Sequence, residues 1–284
     1  MSTPVNASGA ASANASMATS GTASANASKG ASRAVSEAAS KNAEALRALH
    51  LDRAAGDPLV LPGPWDAASA RTFEAAGFPA LATPSAAVAA SLGHEDGATP
   101  ADEMFAAVAR VVRAVSVPVT ADLEGGYGLS PAELVERVRE TGAVGVNLED
   151  SDATNGLKDP EAHAEWLAEV RAAAGPGLFL NARVDAYLRE GVADPAGEAL
   201  VRARLYAAAG ADCVYPIKAP PADLPGLRAA LGDLPVNALA LPDGPSFAEL
   251  GRLGATRVTF GPGLLFRSLR GLADLAAEVR AQAQ

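Results

Sequence analysis

Beyond about residue 50, apolar positions gather into short continuous runs, separated by longer Ala-rich segments with periodic polar positions. Four junctions share one local grammar: "EAAGFPALAT", "ETGAVGVNLED", "AAAGADCVYPIK" and "RLGATRVTFGP". In each, a helical pattern meets a glycine (Gly77, Gly142, Gly210, Gly254) and then a short apolar run. A glycine just past a helix takes the left-handed cap conformation without a Cβ clash, so these junctions predict helix-to-strand turns. The runs "PLVLPG", "VPVTADL", "GLFLNARV" and "LPVNALAL" bring the expected strands to eight, near 59–62, 79–83, 118–122, 144–149, 178–183, 212–217, 235–240 and 257–261. Strands of continuous Val/Leu/Ala character that alternate with helices predict a parallel sheet covered by helices. Eight repeats favour an α/β fold of the (β/α)8 TIM-barrel type. An open dinucleotide-binding sheet would want a G-x-G-x-x-G turn, and the first strand here is followed by "LPGPWDAAS".

The first 40 residues do not fit that grammar. Ala and Ser supply 23 of them, and beyond Met1 the bulky apolar residues are limited to Val5, Met17 and Val35. Such a segment buries too little surface to offset its ordering entropy, so residues 1–44 are expected to be a disordered tail and 45–284 the barrel. The tail lacks the apolar core of a secretory signal, and Arg33 is its one arginine, fewer than a transit peptide carries. Helix is expected to begin somewhere between Glu37 and Leu51.

Charge narrows the partners. The net charge of −10 argues against nucleic acid or an anionic membrane, which both need a cationic face. The single Cys213 excludes an internal disulfide and fits a reducing, cytoplasmic setting. No apolar run is long enough to span a bilayer. A small anionic substrate remains the partner to expect.

A barrel of this type carries its chemistry at the C-terminal ends of the strands. Those ends hold Trp65, Thr83, Ser85, Asp122, Glu124, Glu149, Asp150, Asp152, Asn181, Arg183, Asp185, Lys218 and Asn237. The stretch "TADLEGGYG" sets Asp122 and Glu124 two apart, which on a continuing strand sends both side chains the same way. Glu149 ends the following strand. Like charges packed together cost free energy unless a cation joins them, and an oxygen-only set suits Mg²⁺ or Mn²⁺ better than zinc. The alternative is a set of helix-capping acids on a solvated rim. Arg183 in "NARVDAY" suits a carboxylate or phosphoryl group, or else a salt bridge to Asp185 or Glu149.

Other features lead elsewhere. "DSDATNGLKDPE" has acids spaced like a calcium loop, but Asn155 stands where the sharp turn needs Gly, so a mobile surface loop is expected. Lys218 opens a Schiff-base aldolase alternative, although an acidic rim would raise its pKa and blunt it as a nucleophile. His94, near the mouth, is a candidate proton carrier.

The segments "PWDAASARTFEAAGFPALATPSAAVAASLGHEDG", "PVTADLEGGYG", "GAVGVNLEDS" and "NARVDAY" together resemble the isocitrate lyase/phosphoenolpyruvate mutase superfamily, from about Leu59 through Arg270. The resemblance implies a Mg²⁺-dependent barrel enzyme that breaks or rearranges a C–C or P–C bond of a small α-oxo or 2-hydroxy carboxylate through a pyruvate-like enolate. It assigns the metal site to Asp122, Glu124 and Glu149, some of them acting through water. Asp96 falls on a further acid near the metal. Ser85, Ala86 and Ala87 fall on the loop that holds the substrate's carboxylate or oxo group, and Arg183 on the substrate-binding arginine. Asp122 also reaches the substrate, while Trp65 and Asn237 stand among the positions that would set specificity. Catalytic roles are thus expected of Arg183, Asp96 and Glu149. A homodimer or tetramer with an exchanged C-terminal helix is implied as well. Departures are equally clear. The lyases' Cys- and His-bearing lid motif is replaced by "DSDATNGLKDPE", and "YPIK" puts Ile217 where they carry Glu. Typical isocitrate or methylisocitrate cleavage is therefore not expected, and a non-catalytic metal- and carboxylate-binding relative stays open.

Overall fold

The structure is a computed structural model and describes residues 40–51, 53–152 and 156–283, together with Met1. The expected disorder of the tail falls mostly outside these residues. Helix α1 occupies 40–50, so ordered structure already runs through the last residues assigned above to the tail. Its reason is periodicity: Ala43, Leu46 and His50 share one face, and all are buried. That face meets the beginnings of strands. Leu46 packs on Gly145, and the His50 ring stacks on Phe179 at 4.2 Å. Arg47 fastens the helix by donating to Asp212 Oδ1 at 3.1 Å and to the Leu178 carbonyl at 2.6 Å.

Every expected strand is present, shorter by a residue or more in most cases: β1 (Leu59–Val60), β2 (Leu81–Thr83), β3 (Val119–Asp122), β4 (Gly145–Glu149), β7 (Phe179–Val184), β8 (Cys213–Pro216), β9 (Asn237–Leu239) and β10 (Arg257–Thr259). The four junction glycines all have positive φ, as predicted. Between β4 and β7 lies an unpredicted antiparallel pair, β5 (Ser151–Asp152) with β6 (Gly156–Leu157). The parallel strands form one sheet ordered β2-β3-β4-β7-β8 and another ordered β1-β10-β9. A parallel bridge from Val214 to Val236 links β8 to the start of β9. On the other flank, the Ala82 amide donates to the Pro62 carbonyl at 3.1 Å.

Helices follow the strands: α2 (Ala67–Ala75), α3 (Ser85–Leu92), α4 (Ala101–Ala114), α5 (Pro131–Thr141), α6 (Pro160–Ala174), α7 (Pro195–Ala208), α8 (Leu224–Leu231), α9 (Phe247–Arg252) and α10 (Gly263–Gln282). Three of them start alike. Ser130, Asp159 and Asp194 cap α5, α6 and α7, and each is followed by proline at the first helical position. Proline there loses no hydrogen bond and already has the helical φ.

Strand residues alternate between two environments. Val146, Leu148, Leu180, Ala182, Val184 and Val214 pack against Leu134, Val138, Leu167, Val170, Ala203 and Tyr206 of the covering helices. The opposite faces are polar, with Thr120, Asp122, Asn147, Asn181, Arg183, Tyr215 and Asn237. Helix α10 differs from the rest: Phe266, Leu269, Leu272, Leu275 and Val279 are exposed, and of its residues Leu265 alone is buried. Among the described residues no helix is long and apolar enough to cross a membrane.

Candidate active site

The C-terminal ends of the strands enclose a cavity of about 490 Å³. Its lining includes Ser85, Ala86, Asp96, Asp122, Arg183, Lys218 and Asn237. Trp65, Ala87, Glu124 and Glu149 are not in that lining, so of the three acids expected at the metal Asp122 alone is in it. Trp65 is half-buried with its ring edge-on to Phe73, and Ala87 is buried within α3.

Asp122 is the best-held acid. Its Oδ2 accepts from the Ser85 amide at 3.2 Å and from Ser85 Oγ at 2.9 Å, and Oδ1 accepts from Asn147 Nδ2 at 2.8 Å. Asn147 Oδ1 in turn accepts from Asn181 Nδ2 at 3.0 Å. Three neighbouring strands thereby fix the carboxylate's orientation.

Glu124 reaches the site by a different route from the one its spacing suggests. Strand β3 ends at Asp122, and Glu124 has φ +51°, so strand alternation does not govern its direction. A tight turn takes over: the Gly126 amide donates to the Leu123 carbonyl at 2.9 Å, and the Glu149 amide donates to the Glu124 carbonyl at 2.9 Å. Gly126 has φ +86°, and a Cβ there would lie 2.9 Å from the Trp166 ring, which excludes a larger residue twice over. Glu124 Oε1 is buried and makes no hydrogen bond of normal geometry among the described residues, although the Tyr127 hydroxyl stands near enough to favour its ionised form. Burial, with Asp122 adding to it, pushes the Glu124 carboxyl up to about 7.

Glu149 Oε2 lies 2.7 Å from NH1 of Arg183. Burial nevertheless pushes Glu149 up to about 8, because Arg183 offsets that cost in part while Asp185 and Asp122 add to it. Arg183 also donates from Nε to Asp185 Oδ1 at 2.6 Å and from NH2 to Oδ2 at 3.2 Å. Burial works against its charge, but Glu149 and Asp185 outweigh burial and hold it well above its ordinary value. Asp96, on the loop between α3 and α4, is pushed up by burial and then by Asp122.

The segment expected to be a mobile surface loop is partly interior. Asp150 and Ser151 are fully buried. Asp150 Oδ1 accepts from the Asp185 amide at 2.9 Å, and Oδ2 accepts from Tyr206 Oη at 2.8 Å and Arg202 NH1 at 3.1 Å. Ser151 Oγ bonds Asp185 and receives Arg189. Sequence reasoning missed this network because its partners come from helix α7 and the loop after β7, far away in the chain. Residues 153–155 lie outside the described residues. Lys158 Nζ lies 3.3 Å from the Gly125 and Glu149 carbonyls, tying together the loops that carry Glu124 and Glu149. His94 pairs with Glu103 at 3.1 Å and lies outside the cavity lining. Cys213 is a buried thiol that burial pushes up to about 12, as expected of a core residue.

Among the described residues no three His, Cys, Asp or Glu side chains approach closely enough to ligate one ion together. The donor set still suits a hydrated hard cation, which takes one or two carboxylates directly and keeps several waters. The residue-level signs are the buried Glu124 Oε1, with no hydrogen bond of normal geometry, and two glutamates that burial keeps from ionising readily.

Comparison with known proteins shows the family. The phosphoenolpyruvate phosphomutase family profile matches residues 46–280. An uncharacterized protein of Mycobacterium tuberculosis H37Rv is 37% identical over 207 residues, covering 72% of this chain and 78% of the relative. A 2-methylisocitrate lyase of Halalkalibacterium halodurans is 32% identical over 169 residues, covering 56% and 55%. The crystal structure of a candidate phosphonomutase from Burkholderia cenocepacia J2315 superposes with a TM-score of 0.77 at 38% identity, covering 84% of this chain and 99% of the other. The chain belongs to the phosphoenolpyruvate mutase family, within the isocitrate lyase/phosphoenolpyruvate mutase superfamily. Its relatives include 2-methylisocitrate lyases and an oxaloacetate decarboxylase of Bradyrhizobium sp. BTAi1, the latter 30% identical over 239 residues.

Proposed function

We propose that the eight parallel strands close as a (β/α)8 barrel whose C-terminal mouth is the active site of a Mg²⁺- or Mn²⁺-dependent enzyme. Its reaction is cleavage or rearrangement of a C–C or P–C bond in a small α-oxo or 2-hydroxy carboxylate. The observation that carries this reading is the gathering of Asp122, Glu124 and Glu149 beside Arg183, with Glu124 Oε1 buried and making no hydrogen bond of normal geometry among the described residues. Carboxylates so arranged are costly without a cation.

Asp122 would hold the metal most directly, with Glu124 and Glu149 acting through its waters. When bound, the metal supplies Lewis-acid withdrawal of charge from the substrate's carboxylate and α-oxygen. The rest falls to the chain. Ser85, Ala86 and Ala87 open α3, a helix with no side-chain cap; the amides of Ala86 and Ala87 offer donors to the substrate's carboxylate, and Ser85, which donates to Asp122, would have to turn its hydroxyl to join them. Arg183 is fixed by Glu149 and Asp185, which aims its guanidinium before substrate arrives and lets it stabilise charge that develops during bond cleavage. Asp96 and Glu149, both raised above ordinary carboxyl values, are suited to hold or deliver a proton. Asn237 and Trp65 remain candidates for specificity, Asn237 from within the lining and Trp65 from beside it.

The deciding experiment is proton NMR of a panel holding oxaloacetate, phosphonopyruvate, dimethylmalate and methylisocitrate, each with Mg²⁺ and again with EDTA. Pyruvate or its products formed with Mg²⁺ and lost in EDTA would support this reading. Turnover that survives EDTA would end it. A second reading, imine chemistry, draws on one observation: Lys218 lines the cavity.

The exposed apolar stripe of α10 supports association with a second copy of the chain, by exchange of this helix.

A further inference from the structure

Arg257 is the largest fully buried side chain among the described residues, at 2% exposure. It opens β10, pairs in register with Asn237 on one side and Leu59 on the other, and lines the same cavity as Asp122 and Arg183. Thr259 lines that cavity too, two residues or roughly 6.6 Å further along the strand. The mechanism above leaves Arg257 unused.

Its surroundings are unusual for a guanidinium. Nε and NH1 have no hydrogen-bond partner among the described residues. No carboxylate among them comes within ion-pair distance, in contrast to Arg183 and Arg202, each of which has two. Asp122 lies within electrostatic reach and favours the charged guanidinium, but it is not at ion-pair distance. The other charged or ionisable groups that sense Arg257 are His50, Cys213 and Tyr215. Burial holds His50 down to about 3 and lifts Cys213 and Tyr215 to about 12, so all three are neutral near pH 7. A buried guanidinium without a paired counter-ion is costly, because desolvation penalises its charge. A ligand anion would repay this, and a planar fork of donors favours a carboxylate or phosphonate.

We infer that Arg257 is a specificity-determining residue that binds a second anionic group, a carboxylate or phosphonate, on the substrate whose first carboxylate and α-oxygen face Asp122 and Arg183. This rests on the proposed function for the orientation of the substrate, but not for the binding itself. It separates substrates with two anionic groups from those with one.

The test compares malate with 2-hydroxybutyrate, which differ in having a carboxylate or a methyl group at the far carbon. Binding to the full-length protein is measured calorimetrically at fixed Mg²⁺, without any need for turnover. Wild type is expected to bind malate at least about 10-fold more tightly, as a charge-assisted hydrogen bond implies. Arg257→Met is expected to weaken malate by about 10- to 100-fold while leaving 2-hydroxybutyrate within about threefold. A buried ion replaced by an apolar side chain is often tolerated. Should that variant not fold, the wild-type preference decides alone. Arg257→Lys, which keeps the charge but loses the fork, should lie between the two. Equal binding of the two acids by wild type, no binding of either, or equal loss of both in Arg257→Met would overturn the inference. A malate preference that depends on Arg257 in a protein that turns over nothing in the panel would leave it standing and count against the enzymatic reading.

Discussion

Arg183 and Glu149 occupy paired positions on β7 and β4 and meet across them at 2.7 Å, while the same guanidinium holds Asp185 from its other side. The arginine's direction is therefore set by protein groups, and its remaining valence faces the cavity. Arg183→Lys keeps the charge but not the fork, and is expected to lower kcat/KM by about 100-fold with little change in fold. Steady-state kinetics beside circular dichroism would check it; near-normal kcat/KM would remove Arg183 from the reaction.

Asp122→Ala removes the acid that three strands orient. Turnover should fall by about 1000-fold or more. Stability should hold or rise, because one of several crowded carboxylates is gone. Kinetics and a thermal melt in EDTA test both halves, and unchanged activity would sink the metal assignment.

Stability of the metal-free protein should depend on pH in a definite direction. Glu124 and Glu149 titrate in the folded protein at about 7 and about 8. Unfolded glutamate titrates near about 4.3, so the folded state binds more protons in between and stability falls as pH rises through the folded values. His50 and His163, both pushed down to about 3 by burial, work in the opposite sense, but their contribution is nearly complete by about pH 7.5 and changes little above about pH 6.5. Between about pH 6.5 and 8.5 in EDTA, Tm is expected to fall by on the order of 3 °C. Glu149→Gln should flatten that slope and Mg²⁺ should reduce it. A Tm that rises over the window contradicts the assignment.

Gly126→Ala should destabilise the protein and disable it together. Its positive φ costs an alanine about 1–2 kcal/mol, and the added methyl meets the Trp166 ring. A drop in Tm of several degrees, about 4 °C or more, is expected, with activity lost through displacement of Glu124. Gly128→Ala, where a Cβ meets nothing within 4 Å, is the control for backbone strain alone.

Lys218 has φ +58° and lines the cavity. On the metal-dependent reading, borohydride with substrate traps no adduct and Lys218→Ala retains turnover within about 10-fold. A covalent adduct at Lys218 in intact-mass spectra would reverse the preference.

Much of this arrangement was legible in advance because it is local. Glycine after a helix, proline after Ser or Asp, and apolar runs of strand length each state their structure within a few residues. Acids at strand ends were readable for the same reason. What stayed hidden depends on register or on distant partners. Glu124 needed the end of β3 to be known to the residue. Asp150 looked like a solvated loop acid until Arg202 and Tyr206 of α7 closed over it. Arg257, one residue in "ATRVTF", gives no local sign that it faces inward; that follows from which side of β10 turns to the cavity.

Helix α1 crosses the beginnings of β4 and β7, with Leu46 against Gly145, His50 against Phe179 and Arg47 fastened beyond. If the strands close as the proposed barrel, this helix stoppers the chamber at that end and makes it a cul-de-sac. Whatever arrives would then leave by the same door, in reverse order of depth. A reaction that splits one molecule into two must then release the piece nearer the mouth first, and the deeper piece becomes an inhibitor competitive with substrate.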